Sequence, residues 1–232
     1  RVELYAVADR DAPPIPWADN QEPLLYTNNI VRIICNDGTE GVGATISYTE
    51  NDFDRCIIEA MRTIVPGLIG KNPLMTEELY SWLQARCSWG GLPAKSPIDI
   101  AAWDIKAKKA GMPLYMLLGG ARHKMLSYAS TPMFDTVEDY FPYVDDCIEH
   151  GFTAIKLHCY CVYEKDVKLV NAIQERYGHT GVRFMLDTAT FYTPAEAMKM
   201  AKLMESYDWE WLEAPVSDYD YKTYQRLVDK TD

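Results

Sequence analysis

The sequence is short of basic residues and of long apolar stretches. Lysine and arginine number 23 against 34 aspartate and glutamate residues, which leaves a formal net charge of −11. Surfaces that bind nucleic acids or anionic membranes are rich in clustered Lys and Arg, so the charge argues against both kinds of partner. The sequence also has no run of about 18 apolar residues, the length that a membrane-spanning helix requires. We therefore expect a cytoplasmic protein that binds neither nucleic acids nor membranes.

Paired cysteines and phosphate-binding glycine motifs are also missing. The six cysteines form no CxxC pair, and Cys159 and Cys161 lie too close together for a zinc knuckle. We interpret all six as reduced, mostly buried thiols. No GxGxxG motif and no P-loop follows any predicted strand, which argues against a doubly wound nucleotide-binding fold.

A β-hairpin and a long loop are predicted in the first part of the chain. Residues 29–34 and 41–47 are rich in β-branched side chains and flank an Asn-Asp-Gly turn, which predicts a hairpin. Residues 8–26 contain four prolines and predict an irregular loop. Because loops of this length in folded domains are often functional, we interpret it as a lid, with Trp17 and Asn20 as candidate substrate contacts.

Helices follow the hairpin. Apolar residues at helical spacing predict helices that begin at Asp52, at Thr76 and at Ser96, where a proline occupies the expected first helical position. Strands followed by helices predict an α+β domain over residues 1–122.

From residue 123 onward the pattern changes to alternating strands and helices. Strands are predicted at residues 126–130, 153–159, 182–187 and 209–213. Their spacing of roughly 25–30 residues leaves room for the helix of a parallel crossover. Because no phosphate loop is present, we favour a barrel over a doubly wound sheet, and predict that residues 123–232 form the first half of a (β/α) TIM-type barrel.

Four polar residues lie at the ends of the last three predicted strands. Lys156 and His158 alternate on one strand, Asp187 ends the next, and Glu213 ends the last. The carboxyl ends of parallel strands meet along one rim, where α/β proteins place their chemistry. Two carboxylates on adjacent strands offer the hard oxygen ligands that Mg²⁺ prefers. The pattern therefore predicts a metal-assisted acid/base site.

Each of these residues also has a purely structural interpretation. A single strand-end carboxylate is often a helix cap or a surface acid, and Lys156 could pair with Asp187 without any catalytic role. A single histidine is more often a satisfied core residue than a base. The matched positions on successive strands favour the metal site, and His158 is able to accept a proton near neutral pH.

Four features together resemble the enolase superfamily, in particular its mandelate racemase and muconate-lactonizing branch. They are Lys-x-His on the second strand, Asp at the end of the third, Glu-x-Pro after the fourth, and the preceding stretch SPIDIAAWDIKAKKAGMPLYMLLGG. The resemblance covers nearly the entire chain. It implies a capping domain over a modified (β/α)₇β barrel, one Mg²⁺ per site, and abstraction of the proton alpha to a carboxylate to give an enolate. It also implies Asp187 and Glu213 as the first two metal ligands, His158 as the base and Lys156 as an assisting cation.

The sequence departs from that family in three respects. Ala189 stands where the family often has Asn, and Lys-x-His replaces the more usual Lys-x-Lys. The third acidic ligand and the second acid/base group would lie on strands five to seven, beyond Asp232, and four strands cannot close a barrel. We therefore expect the N-terminal portion of a longer chain, and regard a natural half-protein that pairs with another chain as less favoured.

Two classes of function remain. The first is a Mg²⁺-dependent acid-sugar dehydratase, or a racemase, epimerase or cycloisomerase of the same superfamily, acting on a small carboxylate or acid sugar. Polar residues in the 8–26 loop favour a hydroxyl-rich substrate. The second is a truncated, non-catalytic barrel module, which would have no metal affinity. We also expect a homo-oligomer.

Overall fold

Two sheets organise the chain, each within its own unit. In this computed structural model the described residues up to Lys124 belong to one unit, and those from Met125 onward belong to the other. The predicted lid contacts Trp17 and Asn20 lie outside the described residues. Within the part that is described, no helix combines the length and apolarity needed to cross a bilayer. The structure describes residues 1–9, 26–47, 51–86 and 91–231.

The first unit contains an antiparallel sheet in the order β1-β2-β3. β1 Val2–Asp9 pairs with β2 Tyr26–Ile34, and β2 pairs with β3 Glu40–Ser47. The predicted hairpin is confirmed, whereas β1 was not predicted. The loop predicted over residues 8–26 was too long at both ends, because Asp9 pairs with Tyr26 and the backbone groups there join the sheet ladder.

Four helices complete the first unit. Helix α3 begins at Gly91, so the prediction of an N-cap at Ser96 was wrong, and Pro97 lies inside the helix. Ala94 and Ile98 are fully buried on either side of that proline. Burial of the face that carries Ala94 and Ile98 stabilises the helix by more than the internal proline destabilises it. The bounds are α1 Asn51–Ile64, a 3₁₀ turn at Val65–Leu68, α2 Thr76–Arg86, α3 Gly91–Ala110 and α4 Leu114–Leu117.

Helix α3 packs directly on β3 through two glycines. A Cβ atom on Gly41 would overlap the carbonyl oxygen of Ala101, and one on Gly43 would overlap that of Pro97. The strand and helix backbones are therefore closer than any larger residue allows. This contact explains a Gly-x-Gly pattern that precedes no phosphate site.

The second unit contains a parallel sheet in the order β4-β5-β6-β7, with a helix after each strand. All four predicted strands are present, although β4 and β7 are shorter than predicted, because each pairs on one side only. The parallel sheet is confirmed, and the barrel stays a prediction. Its elements are β4 Ala129–Ser130, α5 Val137–Glu149, β5 Ala154–His158, α6 Tyr163–Tyr177, β6 Arg183–Asp187, α7 Pro194–Ser206, β7 Trp211–Glu213 and α8 Tyr221–Val228.

An apolar core lies between this sheet and its helices. Ile155 and Leu157 on β5 and Leu186 on β6 are fully buried and pack against residues of α5, α6 and α7. The pattern Thr-Pro-Ala-Glu at residues 193–196 predicts a capping box at the start of α7, and the structure confirms it, since Thr193 and Glu196 exchange hydrogen bonds. The core holds the two central strands rigidly, and their carboxyl ends carry the polar residues of interest.

The cysteines of the described residues form no disulfide with one another. Cys147 and Cys159 are buried, but Cys56 is exposed and Cys35 and Cys161 are half-buried. The interpretation of the cysteines as mostly buried was therefore wrong for Cys35, Cys56 and Cys161.

Candidate active site and metal centre

Three polar side chains lie in one row across the parallel sheet. His158 on β5 pairs in register with Asp187 on β6, and Asp187 pairs with Glu213 on β7. Lys156 lies two residues before His158 and so faces the same side of the sheet. The structure therefore brings together all four residues that were predicted to meet at this rim.

The ammonium group of Lys156 lies between the two carboxylates. Its Nζ atom is 3.2 Å from Oδ2 of Asp187 and 3.0 Å from the Glu213 carboxylate. Burial acts to lower the pKa of Lys156, but the hydrogen bond to Glu213 and the charge of Asp187 outweigh it and leave the pKa raised. Lys156 is therefore a permanent positive charge in a largely buried position.

Asp187 is held in its ionised form. Burial acts to raise its pKa, but the hydrogen bond from His158, the backbone N–H of Ala189 and the charge of Lys156 together lower it to about 2. The N–H of Ala189 is 3.1 Å from Oδ1, and Nε2 of His158 is 3.2 Å from Oδ2. A carboxylate that stays charged at all physiological pH values is suited to binding a cation.

The imidazole of His158 is oriented from both of its nitrogens. Nδ1 is 2.6 Å from the carbonyl oxygen of Thr131. A carbonyl oxygen can only accept a hydrogen bond, so Nδ1 carries a proton and Nε2 is the atom presented to Asp187. The backbone of His158 is held as well, since its N–H donates to Thr131 Oγ1 at 3.1 Å and its carbonyl accepts from the Tyr140 hydroxyl at 2.6 Å.

Glu213 is the most exposed member of the group. Its side chain is 39% exposed, and one carboxylate oxygen accepts a hydrogen bond from Trp211 Nε1 at 3.1 Å. The ring of Tyr128 lies edge-on to that of Trp211, and the Lys156 ammonium lies 5.8 Å from the centre of the Tyr128 ring. Two aromatic rings, one from the residue before β4 and one from β7, thus lie beside the charged group.

The backbone after both carboxylates is strained. Ala189, Thr190 and Ala214 have positive φ angles of 47°, 70° and 42°. This conformation is unfavourable for residues other than Gly and Asn, and least favourable for a β-branched residue such as Thr190. The N–H of Thr190 donates to the carbonyl of Ala214 at 2.6 Å, which ties the two strained segments together. Strain of this kind is concentrated at functional sites.

Thr131 is a site residue that was not predicted. It follows β4 directly, is 2% exposed and contacts His158 twice. The rule that polar residues at strand ends converge would have found it if applied to the first strand of the sheet.

The donor set at this rim contains two carboxylates. Within residues 1–9, 26–47, 51–86 and 91–231, no group of three or more His, Cys, Asp or Glu side chains converges in the manner of a complete metal site. Two carboxylates do converge on one positive charge, that of Lys156. Mg²⁺ is usually bound by one or two carboxylates together with water and substrate oxygens. Asp187 and Glu213 therefore fit as part of a magnesium site.

Two family models match the chain. Residues 25–119 match the mandelate racemase / muconate lactonizing enzyme N-terminal domain, and residues 143–232 match the enolase C-terminal domain-like family. The chain belongs to the mandelate racemase and muconate-lactonizing branch of the enolase superfamily.

Superfamily members of known activity are similar over most of the chain. The L-talarate/galactarate dehydratase of Salmonella typhimurium is 30% identical over 90% of the chain, and the D-galactarolactone cycloisomerase of Agrobacterium fabrum is 31% identical over 85%. These matches cover 54% and 53% of the two relatives, so the chain spans about half the length of the curated relatives that it matches.

Solved structures of the superfamily cover the whole chain. A candidate mandelate racemase/muconate lactonizing enzyme from Pseudovibrio sp. has a TM-score of 0.96 and 81% identity, and the chain covers 62% of it. The Salmonella dehydratase liganded with Mg and L-lyxarohydroxamate has a TM-score of 0.83 and 26% identity, with 61% of that chain covered.

Proposed function

We propose that the full-length protein is a Mg²⁺-dependent enzyme that abstracts the proton alpha to a carboxylate, and that its reaction is the dehydration of an acid sugar. One observation carries this proposal: His158, Asp187 and Glu213 stand in register on adjacent strands, with Lys156 Nζ between the two carboxylates. The similarity to an acid-sugar dehydratase supports the choice of reaction.

Asp187 and Glu213 would hold the metal ion. When bound, Mg²⁺ would withdraw electron density from the substrate carboxylate and so make the alpha proton more acidic. Lys156 would contribute a second positive charge at the same place, because the hydrogen bond to Glu213 and the charge of Asp187 keep it protonated despite its burial. The negative charge that develops on the substrate would then be met by charges already in position.

His158 would accept the proton. The C–H bond breaks, its proton moves to Nε2 of His158, and its electron pair is delocalised into the substrate carboxylate. The carbonyl oxygen of Thr131 holds a proton on Nδ1. Once Asp187 is engaged by the metal ion, Nε2 would give up its proton and its hydrogen bond to that carboxylate, and the neutral ring would have its lone pair on Nε2. We propose that the group that protonates the departing β-hydroxyl, and the third acidic ligand, belong to the part of the full-length protein that this chain does not cover.

The same proposal extends to the architecture. We propose that the parallel sheet is the first half of a modified (β/α)₇β barrel, formed from residue 123 onward, and that residues 1–122 form its capping domain. Trp17 and Asn20 would then contact the substrate from the lid. Cytoplasmic location and homo-oligomeric assembly stay predictions.

Product analysis in D₂O tests the reaction. Full-length enzyme with Mg²⁺ and a set of acid sugars that includes galactarate and L-talarate should give a 2-keto-3-deoxy product. His158→Gln should abolish both this product and deuterium incorporation at the alpha carbon, whereas His150→Gln, at an exposed position after α5, should not. Product formation by His158→Gln at the wild-type rate would refute the assignment of the base.

Cycloisomerisation is the second candidate, and the similarity to the galactarolactone enzyme favours it. It would convert a lactone without loss of water, so the same experiment with D-galactarolactone separates the two reactions. Deuterium exchange at the alpha carbon without any dehydrated product would instead indicate a racemase or epimerase.

Calorimetry tests the metal site separately. The full-length protein should bind Mg²⁺, and Asp187→Asn and Glu213→Gln should each weaken that binding. Asp145→Asn, which removes an exposed ion pair with Arg176 in the same unit, is the matched control. A wild-type protein without magnesium affinity would support a non-catalytic module.

A further inference from the structure

A second carboxylate of this unit, Asp166, is fully buried on α6 and is not part of the row described above. Its Oδ1 accepts from the backbone N–H of Tyr160 and its Oδ2 from the hydroxyl of Tyr192, both at 2.8 Å. The backbone N–H of Val162 also donates to it. A buried charge is costly to maintain unless it is fully hydrogen-bonded, as this one is.

The partners of Asp166 belong to two different strand-end loops. Tyr160 lies two residues after His158, in the loop that follows β5. Tyr192 lies in the loop that follows β6 and Asp187, and it is 5% exposed. The hydrogen bonds of one carboxylate therefore join the loop that follows the proposed base to the loop that follows a proposed metal ligand.

The loop after β7 is part of the same network. The backbone N–H of Tyr192 donates to the carbonyl of Pro215 at 3.0 Å, two residues after Glu213. Cys159 adds a direct link between the first two loops, because its Sγ donates to the carbonyl of Asp187 at 3.2 Å. The three strands that end in His158, Asp187 and Glu213 are thus connected through the loops that follow them.

We propose that Asp166 and Tyr192 are positioning residues, whose hydrogen bond fixes the spacing of the strand ends that carry His158, Asp187 and Glu213. This inference rests on the proposed function for its consequence in catalysis. Stabilisation of the α6 N-terminus alone would account for the bonds from Tyr160 and Val162. It does not account for the bond to Tyr192, which lies in another loop.

Displacement of either loop would change the distances between the side chains of His158, Asp187 and Glu213. Nε2 of His158 and Oδ2 of Asp187 are 3.2 Å apart, and the two residues are on adjacent strands. A change of about 1 Å in such a distance can lower a catalytic rate by about a hundredfold. The link between the loops should therefore affect metal affinity and turnover more than it affects substrate binding.

Tyr192→Phe tests the proposal, because it removes one hydroxyl and leaves the ring in place. Tyr177→Phe is the matched control: Tyr177 is 4% exposed, and its hydroxyl also donates to an aspartate, Asp145, but it joins α6 to α5 away from the strand ends. Both variants are compared with wild type in the full-length protein.

Amide hydrogen exchange of the metal-free protein is the first measurement. Tyr192→Phe should accelerate exchange by about fivefold, the worth of one hydrogen bond, in residues 159–162 and in residues 188–192 together. Tyr177→Phe should accelerate neither segment. Unchanged protection of residues 159–162 in Tyr192→Phe would overturn the proposal.

Magnesium affinity and turnover are the second measurement. Tyr192→Phe should weaken Mg²⁺ binding by about threefold to tenfold and lower kcat more than it raises KM, with Tyr177→Phe close to wild type. Equal effects of the two variants would overturn the positioning role while leaving the proposed function intact. If the wild type neither binds Mg²⁺ nor turns over acid sugars, the proposed function fails, and the exchange measurement still decides whether the loops are coupled.

Discussion

At the scale of single residues, Lys156 lies at the centre of the candidate site, between the carboxylates of Asp187 and Glu213. Two carboxylates on adjacent strands would repel each other, and the Lys156 ammonium balances them at 3.2 and 3.0 Å. The same group that stabilises the metal-free site is therefore the one we assign to charge stabilisation in the reaction. Stability and function depend here on one buried cation.

Replacing Lys156 with methionine should destabilise the metal-free protein. Removing one partner of a buried ion pair leaves uncompensated charge, and we expect a loss of about 2 kcal/mol, a reduced value because Glu213 is partly exposed. Mg²⁺ should raise the melting temperature of Lys156→Met more than that of wild type, since it restores positive charge. Lys108→Met, which breaks an exposed pair with Asp104, should cost less than 1 kcal/mol. Thermal unfolding of the full-length variants with and without Mg²⁺ checks this, and equal losses for the two would contradict it.

Asp166 should make stability depend on pH. Burial raises its pKa to about 6 from an ordinary value of 3.8, although hydrogen bonds from Tyr192 and Tyr160 act in the opposite direction. The folded state therefore binds this proton more tightly than the unfolded state, so the stabilisation is full below pH 4 and is lost as the pH rises through about 6. The difference corresponds to roughly 3 kcal/mol.

Urea unfolding of the full-length protein between pH 4 and pH 7 measures this contribution. Asp166→Asn should show a weaker decline of stability with rising pH than wild type. Parallel curves for the two proteins would mean that Asp166 has an ordinary pKa.

At the scale of elements, the packing of α3 on β3 depends on the absence of side chains. Gly41 and Gly43 let the backbone of the strand contact the backbone of the helix at Ala101 and Pro97. The same contact buries one face of α3. Burial of that face keeps the helix continuous through its internal proline. A close approach of two backbones thus replaces the side-chain interdigitation found elsewhere in the core.

Gly43→Ala should destabilise the first unit. The added methyl group would overlap the carbonyl oxygen of Pro97, which cannot rotate away, and overpacking of this kind costs about 2 kcal/mol. Val42 is the neighbour of Gly43 on the same strand, and its side chain is exposed. Val42→Ala should therefore cost less than 1 kcal/mol. Chemical denaturation of the two variants checks the difference, and equal midpoints would show that the helix can shift at no cost.

At the scale of the whole molecule, the second unit exposes apolar surface beside its last strand. A groove of about 310 Å³ runs along β7 and α8 and includes Trp209, Leu212 and Leu227 among its lining residues. Leu126 and Val228 are 91% and 79% exposed. Exposed apolar surface and an open strand edge favour association, and under our proposal the remaining strands of the barrel would cover them.

A fragment that ends at Asp232 should therefore bind more of a hydrophobic dye than the full-length protein does. We expect ANS fluorescence per mole to be several-fold higher for the fragment, and light scattering to show its self-association. Equal dye binding by the two proteins would argue that the groove stays open in the complete molecule.

Local patterns in the sequence were enough to predict most elements, because each depends on nearby residues. The hairpin followed from its turn residues, α7 from its capping box and the parallel strands from runs of apolar residues between helices. The start of α3 was predicted wrongly because the proline signal at residue 97 is local, whereas the stabilising burial comes from the sheet. Strand β1 was missed because it depends on pairing along its whole length with β2, a partner distant in sequence.

The sequence by itself determined which residues could react, because strand-end positions at crossover spacing already placed Lys156, His158, Asp187 and Glu213 on one rim. Only the tertiary structure decided their relations. It put three of them in register, placed the Lys156 ammonium between two carboxylates and turned Nε2 of His158 toward Asp187 through the carbonyl of Thr131. The physical reason is that strand order follows from local patterns, whereas register, hydrogen-bond direction and pKa depend on contacts between residues far apart in the chain.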